Sequence, residues 1–150
     1  MGQRQVQQFG EVKVGGELGP VYKVPTEEAV ALFCRAWGNR GPNRFTDPEA
    51  ARRVGLPYPL VPGIMSLAYL AHLLNQWAPN GQVKRLDVVF RQMVPHNQPI
   101  TLVGVVTDKR EEQGQGLVEC DLYLQSQEGE RLVGGKAVVF LPLQEATTAL

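Results

Sequence analysis

The sequence has no excess of either charge: Lys plus Arg number 15, and so do Asp plus Glu. A nucleic-acid binder needs surplus cations to meet phosphates, and an electrostatic membrane anchor needs them to meet anionic lipid. Neither class fits. Cysteine is scarce. Cys34 and Cys120 cannot make a disulfide framework, and with His72 and His96 as the two histidines no metal-ligand spacing arises. No metal and no cofactor is expected. A long apolar run is missing too. The stretch Leu60–Trp77 is broken by Pro62, Gly63, Ser66, His72 and Asn75, which makes a poor membrane span. Met1–Glu11 is polar and lacks the apolar stretch of a signal peptide. The expectation is one cytoplasmic domain, residues 1–150, with reduced thiols and 43% hydrophobic residues to build its core.

What is present reads as helices first and strands afterwards. Thr26 suits an N-cap, with Glu27 and Glu28 facing the helix dipole. Val30, Phe33, Cys34 and Trp37 follow at helical spacing, and Gly38 is placed to end the helix. Val21–Val24 before it is a short strand candidate. Asp47 and Pro48 open a second, short helix that Gly55 stops. A third helix, Ile64–Trp77, is apolar around most of its circumference and must be wrapped by other structure. Strand candidates follow at Lys84–Val94, Ile100–Asp108, Leu117–Ser126 and Arg131–Leu141, separated by turn residues. Short loops make neighbouring strands antiparallel. Met1–Gly10 and Gln144–Leu150 lack periodicity and are expected to be loose ends.

In order and spacing, several segments resemble the MaoC-like hydratases and dehydratases. They are Gly15–Pro20, Phe33–Asn39, Thr46–Arg52, Pro62–Met65, Gly129–Arg131 and Ala137–Pro142. The resemblance spans about residues 9–142. It implies an α+β hotdog fold, a curled antiparallel sheet wrapped around one long apolar helix. It also implies acyl-thioester chemistry, with hydration of trans-2-enoyl or dehydration of 3-hydroxyacyl thioesters. In the family an Asp and a His activate the water. A backbone N–H at the start of the central helix meets the enolate oxygen, where free N–H groups face developing negative charge. The acyl carrier would be coenzyme A or an acyl carrier protein. Its arm would lie at the interface of a homodimer, or of a heterodimer with another MaoC-like subunit.

The family's active stretch runs roughly Gly-Asp-x-Asn-Pro-x-His-x-Asp-Pro. Counted back without a gap from Asp47-Pro48, Phe45 stands at the His position and Arg40 at the Asp position. Counted from Gly38, Asn39 takes the Asp position. Neither register restores a carboxylate or an imidazole, so no catalytic residue is assigned. The residues assigned to the thioester are Asn39, Arg40, Phe45, Gly63, Ile64 and Met65. Asn39 has a second reading, as a left-handed helix terminator. Arg40 and Arg44 read either as anion contacts or as solvated loop charges. His72 reads as a replacement base or a hydrogen-bonded helix residue, and His96 as a surface loop residue. Asp47 reads as a cap. Cys34, Cys120, Trp37 and Trp77 read as packing residues, and Gly134-Gly135 as a bulge or close approach in a strand. Three functions stay open: an enzyme with a rearranged site, a non-catalytic subunit beside a catalytic partner, and a ligand-binding or regulatory module.

Overall fold

The computed structural model describes residues 6–143. The tail 144–150 and residues 1–5 lie outside them. Five strands form one sheet: β1 (Glu17–Lys23), β2 (Gln82–Phe90), β3 (Ile100–Glu112), β4 (Gln115–Ser126) and β5 (Arg131–Leu141). The order is β1-β3-β4-β5-β2, and every pair is antiparallel. The helices are α1 (Glu27–Ala36), α2 (Pro48–Arg53) and α3 (Gly63–Trp77).

Period-two patterning decides which face of the sheet is dry. On β4, Val118, Cys120, Leu122 and Leu124 are buried, while Glu119, Asp121, Tyr123 and Gln125 face the other way. Ile100, Leu102 and Val106 of β3 and Val133, Ala137 and Val139 of β5 complete the inner face. Against it lies α3, a helix without an Asp, Glu, Lys or Arg. Leu70, Leu73 and Leu74 carry its buried side. Ile64, 46% exposed, and Ala68 remain open to solvent one turn apart.

The short helices are fixed by local chemistry. Thr26 Oγ1 accepts from Ala29 N–H at 3.1 Å, and Asp47 Oδ1 accepts from Glu49 N–H at 3.1 Å. At the end of α1, Gly38 N–H donates to Arg35 O and Asn39 N–H to Cys34 O, a Schellman motif with Gly38 at φ 93°. Gly38, not Asn39, is therefore the left-handed terminator. The end of α2 repeats the motif, through Gly55 to Arg52 and Leu56 to Ala51.

Several boundaries differ from the sequence reading, among them the β3–β4 turn, which narrows to Gln113-Gly114 as β3 runs to Glu112 and β4 starts at Gln115. β1 starts at Glu17, four residues before Val21, because its Gly19 and Pro20 look like breakers. The strand lies at the sheet edge, where a proline is tolerated, and a register shift between Leu18 and Val21 absorbs the pair. β2 ends at Phe90. The N–H groups of both Arg91 and Gln92 donate to Leu132 O, which ends the ladder, and Val94 turns to pair with Val61. Residues 7–10 are not loose. Phe9 is buried over Gly116, and Lys109 Nζ donates to the carbonyls of Phe9 and Val12 at 2.9 and 2.8 Å. A Cβ on Gly116 would overlap the Phe9 ring near its base.

The Gly116→Val variant should thus lose about 1–3 kcal/mol of stability in urea unfolding. Gly41→Ala, with open space around its Cβ, should stay within about 0.5 kcal/mol of the parent.

Burial also pushes both thiols up, Cys120 to about 12. The thiolate is the nucleophile, so folded protein at pH 9 should resist iodoacetamide while urea-unfolded protein is alkylated at both cysteines. Above pH 9, the ordinary thiol value, the unfolded thiols ionise first. The folded state then binds more protons than the unfolded one, so these thiols lower stability as pH rises.

Candidate functional site

The start of α3 has no side-chain cap. Pro62 stands at the N-cap, and its carbonyl accepts from Met65 and Ser66. Among the described residues no hydrogen bond uses the N–H of Gly63 or Ile64. These are free first-turn donors. The Phe90 ring covers Gly63 so closely that a Cβ there would stand 2.9–3.3 Å from three ring atoms. Phe90 is 54% exposed, so it can rotate aside.

Beside this helix end lies a cleft of about 540 Å³. One wall is Arg44 and Phe45 from the loop before α2, with Val54 and Leu56 after it. The other wall is Phe90–Val94, where the chain leaves β2, and the floor holds Leu60, Val61, Gly63 and Ser66. No Asp, Glu or His lines it.

Phe45 is held in place by its own loop. Asn43 Oδ1 accepts from Phe45 N–H at 2.8 Å, and Asn43 O accepts from Thr46 and Asp47. The Phe45 ring stands 6.4 Å from Trp37, which stands 6.2 Å from Phe33. An aromatic row thus runs from α1 to the cleft. The Arg44 guanidinium lies 4.8 Å from the Phe45 ring centre.

The structure brings Phe45 and Gly63 together in this cleft. Met65 is buried in the core, and Ile64 faces outward beside the helix end. Asn39 is half-buried and Arg40 exposed, and neither lines the cleft. Asp47 caps α2. His72 is half-buried on α3, where its Nε2 accepts from the Gln76 amide at 2.9 Å, and it does not reach the cleft. His96 lies in the expected turn but is less exposed than a surface loop residue. It is half-buried, and its Nε2 donates to Leu60 O at 3.2 Å. It lines a second cavity of about 730 Å³ with Glu27, Tyr58, Glu128 and Glu130. Gln92 and Met93 border both spaces.

Sequence reasoning missed Asn43, Ser66, Phe90 and Arg91. Ser66 carried a signal, since it is a hydroxyl on a helix turn otherwise destined for the core. Active sites commonly hold titrating groups off their ordinary values. Here Cys34, Tyr69, Arg110 and Cys120 are pushed up, the first two by burial alone, and none of the four lines the cleft.

Among solved structures, the chain is similar to an (R)-hydratase from A. caviae involved in PHA biosynthesis. The two are 24% identical over 88% of this chain and 98% of that one, with a TM-score of 0.78. It is similar to a chain of the ChsH1–ChsH2 complex of Mycobacterium tuberculosis at 15% identity, over 85% and 96% of the two chains, with a TM-score of 0.72. It is also similar to a chain of the HadBC (3R-hydroxyacyl-ACP dehydratase) complex of the same organism. There the identity is 17%, the coverage 85% and 96%, and the TM-score 0.67. At these identities the likeness concerns the fold. No curated protein matches the chain. The model of the MaoC-like domain family matches residues 13–126. With most of its length inside that match, and with five antiparallel strands curled around α3, this chain belongs to the MaoC-like dehydratase family and has its hotdog fold.

Proposed function

We propose that this chain is an acyl-thioester-binding MaoC-like subunit without an acid–base pair of its own. The observation that carries this reading is the composition of the cleft at the start of α3. A hydratase must move a proton to or from carbon and water, which needs a carboxylate or an imidazole within reach. The cleft offers arginine, amide, hydroxyl and hydrocarbon. Phe45 has no proton to exchange. The free N–H of Gly63, with that of Ile64, would receive the thioester oxygen, as a helix start favours developing negative charge. Phe45 would border the acyl chain, with Asn39 and Arg40 on the loop leading to it and Met65 in the core behind.

In this reading a second MaoC-like subunit supplies the Asp and the His, and the pair hydrates enoyl or dehydrates 3-hydroxyacyl thioesters of coenzyme A or acyl carrier protein. Three observations support a paired chain. β2 is an edge strand with exposed Val89 and Phe90 at its end. Ile64 and Ala68 leave one side of an uncharged helix open. Two of the similar structures are complexes by name. A cytoplasmic setting fits the unpaired, buried Cys34 and Cys120.

The test is turnover of trans-2-enoyl thioesters, short to long, followed by loss of enone absorbance, with Trp37 fluorescence reporting binding. The purified chain should bind thioester saturably and turn none over. Activity should appear on adding a MaoC-like subunit that carries the Asp and His. Hydration by this chain alone would overturn the reading in favour of a rearranged catalytic site.

A further inference from the structure

The cleft holds features that a thioester carbonyl does not use. Arg44 and Arg91 both line it, with no lining carboxylate to neutralise them. Neither guanidinium makes an ion pair among the described residues, whereas Arg53, Arg85 and Arg110 all do. The Arg91 side chain lies along β5, its Nε 3.7 Å from where a Gly134 Cβ would stand. Ser66 is the second feature. It lines the cleft and places a hydroxyl among the apolar walls. A hydroxyl lining the cleft can donate to an incoming oxygen. The remaining walls are apolar: Phe45, Val54, Leu56, Phe90 and Met93.

Cations, a hydroxyl and hydrocarbon walls describe one kind of ligand. We propose that this cleft binds a free aliphatic carboxylate, its head group between Arg44, Arg91 and Ser66 and its alkyl tail against the phenylalanines. Guanidinium groups take phosphate as readily as carboxylate. The apolar walls favour the anion that carries a tail. About 540 Å³ is the size of a small-molecule site. The proposal shares the cleft of the thioester reading but does not require a thioester, so each can fail alone.

The test is titration of the full chain with octanoate, octan-1-ol, octanoyl-coenzyme A and free coenzyme A, read by calorimetry and Trp37 fluorescence. Octanoate should bind saturably, and octan-1-ol roughly tenfold or more weakly, since an ionic hydrogen bond is lost. Arg44→Gln and Arg91→Gln should each weaken octanoate by roughly tenfold, with circular dichroism and melting temperature unchanged. Ser66→Ala should weaken it less. Equal binding of octanol, full affinity in both arginine variants, or displacement of octanoate by free coenzyme A would each overturn the proposal. Binding of octanoyl-coenzyme A without octanoate would overturn it and leave the thioester reading intact. Binding of octanoate without the thioester would uphold it and remove the thioester reading.

Discussion

A fifteen-residue helix with no formal charge on any side chain has to be taken out of water. The burial of α3 is the constraint from which the rest follows. A flat sheet would cover one stripe of it. A sheet that curls can approach it from several strands, and α3 packs on β1, β2, β3 and β4. Curling also explains the small residues on the inner face. Gly104 sits where a Cβ would stand 2.7 Å from Leu122 and 3.3 Å from Leu18. Gly81, in the turn that leads into β2, sits where one would stand 2.9 Å from Val139. Close curvature leaves no room for side chains at those points.

Such a helix must also begin somewhere, and its first N–H groups cannot be satisfied by the sheet. The chain meets this by ending β2 early. Where Arg91 and Gln92 share the Leu132 carbonyl, the backbone peels away and joins the segment before α3 through Val61 and Val94. A cleft opens at that junction. The polar end of a buried helix and the cleft beside it thus share a cause. The scaffold is indifferent to which side chains fill the loop opposite. An imidazole there would serve chemistry. Phe45 serves packing, extending the row from Phe33 through Trp37. Fold and reaction are separable because they rest on different residues.

That separation explains what could be read from the chain in advance. Caps, terminators and alternation are local, so Thr26, Asp47, Gly38 and the pattern of β4 were legible. β1 was half hidden because Gly19 and Pro20 act against a strand locally while an edge position tolerates them. Phe9 was taken for part of a loose end because its partners, Gly116 and Lys109, lie about a hundred residues away. The cleft was unreadable for the same reason. Phe45, Gly63 and Arg91 belong to separate segments, and only the register of β2 on β5 brings Arg91 beside Gly134.

The wall made by Gln92 and Met93 carries one more consequence. It is a single peptide segment with a cavity on each side, one edged with arginines and the other with glutamates and His96. A partition of this kind has no private side. Occupants on its two sides would rest against the same two residues, Gln92 and Met93.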